Sequence, residues 1–121
     1  MDNETTPTVT WLVAAHIAND HLKTALESCL NQTFSDFECL VIANGTDATQ
    51  VAEQVTTWFG SDDRLRVITT AVRHLNFSLS LGLHLARGSL IARMDAGDVS
   101  LPNRLTHQLN FMSSNPSVTV L

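Results

Sequence analysis

The chain has 121 residues, of which 44% are apolar and 16% charged, and its formal net charge is -5 at pH 7. This composition is that of a single globular domain and argues against a disordered chain. Only 7 residues are Lys or Arg and they form no run, so a nucleic-acid partner is excluded.

The first segments predict a strand followed by a helix. Residues 1–8 form a polar tail, and Val9 to Ala15 is a continuous apolar run typical of a strand buried on both faces. A helix is predicted from Asp20, with Asn19 or Asp20 itself as its cap. Its apolar stripe has helical spacing and consists of Leu22, Ala25, Leu26, Cys29 and Leu30.

The next segments repeat this order. Cys39 to Ala43 predicts a second strand, which the turn signal "NGTD" closes, and residues 48–59 carry a helical apolar stripe up to Gly60. Arg64 to Thr69 begins with alternating polar and apolar residues, as expected of an edge strand with one wetter face.

The segment "HLNFSLSLGLHLARG" predicts a third helix with a wide apolar surface that packs on more than one neighbour. Arg87 is expected in its last turn, where a cation favours the helix dipole. "SLIARM" predicts a fourth strand. A fourth helix is expected with Ser100 as its cap and Pro102 in its first turn, and "SVTVL" predicts the start of a fifth strand.

Strands that alternate with helices predict a mostly parallel sheet with helices on both faces, a three-layer α/β/α Rossmann-like fold.

Cys29 and Cys39 show no metal-binding or redox spacing and are expected in the core. A strand that begins at the last residues predicts a truncated domain. The absence of a secretory signal and of an apolar span predicts a cytoplasmic protein, or a peripheral one at the membrane in a longer form.

Ligands of open parallel sheets bind beyond the carboxyl ends of the strands. Three loops are expected there, "AAHIAND" after the first strand, "ANGTD" after the second and "DAGDVS" after the fourth. Only "DAGDVS" has paired carboxylates, Asp95 and Asp98. They could bind Mg²⁺ or Mn²⁺ together with diphosphate oxygens. Aspartate is also a common turn residue, and spacing alone favours a plain acidic turn. Neither GxGxxG nor GxxxxGK[ST] occurs in the sequence.

Two long stretches together resemble the family 2 glycosyltransferases, whose fold is called GT-A. They are "ALESCLNQTFSDFECLVIANGT" and "LARGSLIARMDAGDVSLPNRLTHQLNFMSSNPSV", and the resemblance covers Val9 to Leu121. It implies that residues 9–121 are the N-terminal part of a GT-A domain, which binds a nucleotide-diphosphate sugar. The implied reaction transfers that sugar to an unknown acceptor with Mg²⁺ or Mn²⁺. In this family the acceptor part and the catalytic base follow the matched region.

The resemblance also implies site residues, carried over position by position. Asp95 and Asp98 are the expected metal ligands, and Asp95 with His16, Asn44 and His74 is expected to line the nucleotide pocket. The sequence departs from the family at the strand ends. Gly97 replaces the second acid of an Asp-x-Asp motif, and Ala43 and Asn44 stand where the family has a pair of acids.

Because these departures fall where a nucleotide would lie, a second hypothesis stays open. The chain would then be a noncatalytic or degenerate domain of this fold, used for interaction or regulation. The wide apolar surface of the third helix fits such a role, since exposed apolar area favours a partner. A second copy of the chain is one candidate partner.

Overall fold

The computed structural model describes residues 6–121, in which four strands and four helices alternate. The strands are β1 (Val9–Ala15), β2 (Phe37–Asn44), β3 (Leu65–Thr70) and β4 (Leu90–Arg93). The helices are α1 (Asp20–Leu30), α2 (Ala48–Phe59), α3 (Leu75–Leu85) and α4 (Arg104–Ser114). None of these helices is long and apolar enough to cross a membrane.

All strand pairs are parallel, and the strand order in the sheet is β3-β2-β1-β4. The chain therefore winds outward from β1 to β3 and then returns to the other side of β1 for β4. The predicted edge position of β3 is confirmed. Strand order reverses between β1 and β4, the place where open α/β sheets bind ligands.

The sheet has helices on both faces, so the predicted three-layer architecture is confirmed. On one face, Trp11 and Val13 pack in a core with the buried residues of α1, α2 and α4, among them Leu26, Val51 and Leu105. On the other face, Leu12, Leu40 and Ile42 pack against α3. Alternate strand residues serve opposite layers, as pleated strands require.

Helix α1 begins as predicted, because the Asn19 side chain accepts a hydrogen bond from the Leu22 N–H at 3.0 Å. All five residues of its predicted apolar stripe are buried. Cys29 and Cys39 are both free and buried, which confirms their expected place in the core.

Helix α3 packs on both β1 and β2, through two small buried residues and through the partly buried Leu79, Leu81 and Leu85. Its buried residues are Ser78 and Gly82, while Leu75 and Leu83 are about half exposed. A Cβ on Gly82 would lie 2.2 Å from Leu12 Cδ1. Glycine is therefore what allows the helix axis to approach β1 this closely.

The prediction that Arg87 lies in the last turn of α3 is wrong, since the helix ends at Leu85. The chain leaves the helix because the Arg87 N–H donates to the Glu38 carboxylate at 2.6 Å. Thr10 Oγ1 and Arg66 Nη1 also donate to this carboxylate, each at 2.7 Å. One acid on β2 thus fixes the connection between α3 and β4.

Glu38 ionises more readily than an ordinary glutamate. Burial by itself would raise the pKa of its carboxyl, since only 7% of the side chain is exposed. The hydrogen bonds from Thr10, Arg66 and the Arg87 N–H outweigh burial and lower this pKa below its usual value. The carboxylate therefore stays charged inside the fold at neutral pH.

The last part of the described chain corrects three further predictions. Strand β4 ends at Arg93, earlier than predicted. Helix α4 begins at Arg104 with Asn103 as its cap residue. Ser100 is therefore not the cap of this helix, and Pro102 is not in its first turn. Residues 118–121 form no strand. The physical reason for the later start of α4 is that Gln32, which follows α1, hydrogen-bonds to the Leu101 carbonyl and the Leu105 N–H.

Candidate functional site

Three strand ends meet at the carboxyl edge of the sheet. Ala15 of β1 pairs with Ala43 of β2, and Leu12 of β1 pairs with Arg93 of β4. Asn44 is the last residue of β2, and the segments that follow β1 and β4 carry His16 and Asp95. The sheet thus places three of the four predicted nucleotide-pocket residues on one edge, around the reversal of strand order.

A cavity of about 310 Å³ opens at this edge and is here called the Asn44 cavity. Its lining residues are Ala14, Ala15, His16, Asn44, Arg73, His74 and Leu75. It brings together His16, Asn44 and His74, which the sequence assigned to one pocket. Asp95 and Asp98 do not line it. They line a separate, larger cavity of about 970 Å³ beside β4 and the start of α4.

Asn44 is the buried polar group of the first cavity, with only 5% of the residue exposed. Its Nδ2 donates to Ser78 Oγ of α3 at 2.8 Å, whereas its Oδ1 has no hydrogen-bond partner. A buried acceptor without a partner costs about 1–3 kcal/mol. A ligand with an N–H or O–H group would satisfy this oxygen.

Arg73 also lines the Asn44 cavity, and sequence reasoning did not identify it. Its aliphatic stem packs on Gly45, where a Cβ would lie 3.3 Å from Arg73 Cβ and 3.5 Å from its Cδ. Gly45 has a φ of +91°, which L residues rarely adopt. The glycine that directly follows Asn44 at the end of β2 is the sequence feature that could have indicated this close approach.

His74 has a structural role that the sequence did not predict. Its Nδ1 accepts a hydrogen bond from the Phe77 N–H at 3.3 Å and so caps α3. In the neutral imidazole this leaves the proton on Nε2, which is then a donor. His16 is exposed, and its side chain forms no hydrogen bond with another residue of the described part of the chain.

The predicted acidic loop folds as a turn in which the Asp98 N–H donates to the Asp95 carbonyl at 3.0 Å. Arg93 Nη2 lies 3.2 Å from Asp95 Oδ1, with about half or more of each side chain exposed. An exposed pair of this kind contributes little to stability. Both acids line the larger cavity and are accessible to a ligand.

Within residues 6–121 no group of three or more His, Cys, Asp or Glu side chains could hold a metal ion on its own. Two neighbouring carboxylates nevertheless fit Mg²⁺ or Mn²⁺ when a substrate supplies phosphate oxygens and water completes the shell. Gly97, between them, has no atom within 4 Å of the position a Cβ would occupy. The donor set therefore fits a metal that arrives with a diphosphate.

The loop between the acidic turn and α4 is held by Ser28 near the end of α1 and by Gln32, which follows this helix. Gln32 Nε2 donates to the Leu101 carbonyl at 2.8 Å, and its Oε1 accepts from the Leu105 N–H at 3.1 Å. The Ser100 N–H donates to Ser28 Oγ at 3.0 Å. Gln32 thus caps α4 from a distant part of the chain, which is why the helix begins later than local sequence signals predict.

Comparison with known proteins gives a family match over nearly the whole chain. Residues 10–121 match the family model described as Glycosyl transferase family 2. The O-antigen biosynthesis glycosyltransferase WbnJ of Escherichia coli is 38% identical over 104 residues, which cover 86% of this chain and 41% of that protein. The amylovoran biosynthesis glycosyltransferase AmsE of Erwinia amylovora is 28% identical, with 84% and 38% covered.

Solved structures share the fold at low sequence identity. The mannosyltransferase PcManGT of Pyrobaculum calidifontis, solved with GDP-Man and Mn²⁺, has a TM-score of 0.77 at 17% identity, covering 90% of this chain and 33% of that one. S. aureus TarS 1-349 with UDP-GlcNAc has a TM-score of 0.77 at 19% identity, covering 88% and 31%. The chain spans less than half the length of these relatives.

Proposed function

The chain belongs to glycosyl transferase family 2, and on that premise we propose that residues 9–121 bind the nucleotide-sugar donor of an enzyme that transfers a sugar to an acceptor. The observation that carries this proposal is that Asn44, whose buried Oδ1 has no hydrogen-bond partner, lines a cavity at the carboxyl edge of the sheet. This is where an open α/β sheet binds a nucleotide.

In this proposal the base of the donor occupies the Asn44 cavity and hydrogen-bonds to the Asn44 amide. His16 borders the same cavity after β1, and His74 borders it while it caps α3. The diphosphate then extends across the end of β1 toward β4, where strand order reverses. Asn44 takes the place of the acids that the family has at the end of this strand.

Asp95 and Asp98 are proposed to hold Mg²⁺ or Mn²⁺ together with the diphosphate. Their carboxylates line one cavity. Because no group of three or more metal-binding side chains occurs in the described part of the chain, the diphosphate would supply the further metal ligands. When bound, the metal would neutralise charge on the departing diphosphate. The structure of PcManGT in complex with GDP-Man and Mn²⁺ supports this assignment.

A thermal-shift series tests the proposal. UDP or GDP with Mn²⁺ should raise the melting temperature of the chain, because a ligand that binds only the folded state stabilises it. Asn44→Ala should reduce this shift. Asn76→Ala is the matched control, since Asn76 is exposed on α3 and does not line the cavity.

If neither UDP, GDP, dTDP, CDP nor ADP shifts the melting temperature, the donor-binding proposal is wrong. Sedimentation of the same samples then decides the other hypothesis. A chain that binds no nucleotide but self-associates would be a noncatalytic interaction domain. The half-exposed Leu75 and Leu83 of α3 would favour such self-association.

A further inference from the structure

Arg104, the first residue of α4, joins the two ends of the segment that carries both acids of the turn. Its Nη2 donates to the Arg93 carbonyl at 3.3 Å, and its Nη1 donates to Ser100 Oγ at 3.0 Å. Arg93 is the last residue of β4, and Ser100 follows the turn. One side chain therefore closes the base of residues 94–99.

A further contact supports the guanidinium of Arg104 from below. Its Cζ lies 5.0 Å from the centre of the Trp11 ring, a cation–π distance. Trp11 is fully buried on β1 and pairs there with Ala92 of β4. The planar fork of an arginine loses little further freedom when it forms its hydrogen bonds. Arg104 can therefore hold both of its acceptors at once on a rigid support.

Arg104 holds this segment without neutralising its acids. Within the described range 6–121, the Arg104 guanidinium forms no ion pair. It lines the same cavity of about 970 Å³ as Asp95 and Asp98. Asp95 has only the exposed contact with Arg93. Both carboxylates thus stay available to a cation, while the backbone that carries them is anchored at its two ends.

We propose, on the basis of the metal site above, that Arg104 is a positioning residue for Asp95 and Asp98. In this role it contacts neither the metal nor the diphosphate and acts through the backbone on either side of the two acids. A segment that is ordered before the ligand arrives loses less entropy on binding. Groups that orient metal ligands from outside the coordination shell commonly change metal affinity about tenfold or more.

Calorimetric titration with UDP, in the presence of Mn²⁺ and in the presence of EDTA, tests the inference. Arg104→Met should lower UDP affinity about tenfold with Mn²⁺ and leave it unchanged with EDTA. Arg104→Lys should lose nearly as much, because an ammonium keeps the charge but lacks the fork that spans two acceptors. Full affinity in Arg104→Lys, or an equal loss of affinity with EDTA in Arg104→Met, would mean that the charge acts on the diphosphate directly. Either result would overturn the inference.

A double-mutant cycle tests whether the effect passes through Ser100. Ser100→Ala removes one acceptor of Arg104 and should lower UDP affinity with Mn²⁺ about threefold. Its addition to Arg104→Met should cause little further loss, whereas additive losses would contradict the bridge. Arg87→Met is the matched control and should change neither affinity, since Arg87 is exposed and borders a cavity at the opposite edge of the sheet.

Hydrogen exchange followed by NMR tests the anchoring without any nucleotide. The Asp98 N–H, which donates to the Asp95 carbonyl, should exchange faster in Arg104→Met than in the wild-type chain. The Cys39 N–H, which donates to the Arg64 carbonyl at 2.8 Å, is the control for overall stability and should not change. Unchanged exchange at Asp98 would overturn the inference. Faster exchange in a chain that binds no UDP would support the anchoring and contradict the donor-binding proposal.

Discussion

Gly82 of α3 lies so close to Leu12 of β1 that a Cβ on the glycine would fall 2.2 Å from Leu12 Cδ1. Ser78 lies one helical turn before Gly82 on the same buried face. The close approach at Gly82 therefore also brings Ser78 Oγ to within 2.8 Å of Asn44 Nδ2. The packing of α3 on the sheet and the orientation of the Asn44 amide are linked through one helix face.

Gly82→Ala should destabilise the fold and weaken nucleotide binding together. The added methyl group forces α3 away from β1, at a cost of about 1–3 kcal/mol, and moves Ser78 away from Asn44. Urea unfolding and nucleotide titration measure the two effects. Gly97→Ala is the control and should change the stability little, because no atom lies within 4 Å of its Cβ position. A stable Gly82→Ala protein with full nucleotide affinity would disprove the linkage.

The acidic turn should respond to the number of carboxylates it carries. Asp95→Asn should lower Mn²⁺-dependent UDP affinity about tenfold, the effect of about 1.4 kcal/mol. Gly97→Asp should raise it, because the position is open and an added carboxylate is a hard oxygen ligand. Titrations with UDP in the presence of Mn²⁺ and in the presence of EDTA separate the metal-dependent part of the UDP affinity from the rest.

Asp63→Asn serves as control for the loss of one negative charge, since Asp63 is exposed and lies away from the turn. Equal affinities with and without Mn²⁺ in the wild-type chain would argue for a donor site that works without metal.

Glu38→Gln should cost about 2 kcal/mol of unfolding free energy at neutral pH. The substitution removes the charge that holds Arg66 and the Arg87 N–H. Because the pKa of Glu38 is lower in the folded chain than its ordinary value of 4.5, its contribution is complete above that value and is lost as pH falls through the folded pKa.

The stability difference between wild type and Glu38→Gln should therefore shrink as the pH falls below about 4.5. Asp62, whose pKa the Arg64 hydrogen bond lowers, should leave the variant with some acid sensitivity of its own. Urea unfolding across the acid range measures this, with the exposed Glu53→Gln as control. A difference that stays constant with pH would contradict the role of the ionised carboxylate.

Both cysteines should be unreactive while the chain is folded. Burial raises the pKa of the Cys29 thiol to about 12 and that of Cys39 well above its usual value. Thiolate, the reactive form, is then scarce at neutral pH. A colorimetric disulfide reagent should label neither thiol in the native chain and both after unfolding. Rapid labelling of the native chain would show that this core opens readily.

Gln32→Ala should destabilise the start of α4, with a loss of about 1–3 kcal/mol. The substitution leaves the Leu101 carbonyl and the Leu105 N–H without their partner. Hydrogen exchange should become faster in the first turn of α4, and Gln50→Ala, on the exposed side of α2, should leave it unchanged. Unchanged exchange in Gln32→Ala would contradict its capping role.

The layers of this fold could be predicted because they depend on local patterns. The apolar run of β1 and the stripe and cap of α1 depend on residues close in sequence, and the structure confirms both. The start of α4 could not be predicted in this way. Its capping group, Gln32, lies 73 residues before Leu105, and no local spacing signals such a contact.

The site was predictable only in part, for a similar reason. The rule for strand ends placed Asn44 and His16 at one edge, and the structure puts both on one cavity. Arg73 and Ser78 were missed because their importance comes from residues distant in sequence that they meet in the fold, Gly45 for Arg73 and Asn44 for Ser78. Whether Asp95 and Asp98 bind metal stays a prediction.

The open space around Gly97 also affects how this position can change during evolution. A glycine codon becomes an aspartate codon through one base change when its third base is a pyrimidine. Because space around Gly97 is open, neither direction of that change would disturb the fold. Selection at this position can therefore act on chemistry alone, so the acidity of the turn can be lost or regained by descent while the scaffold stays intact.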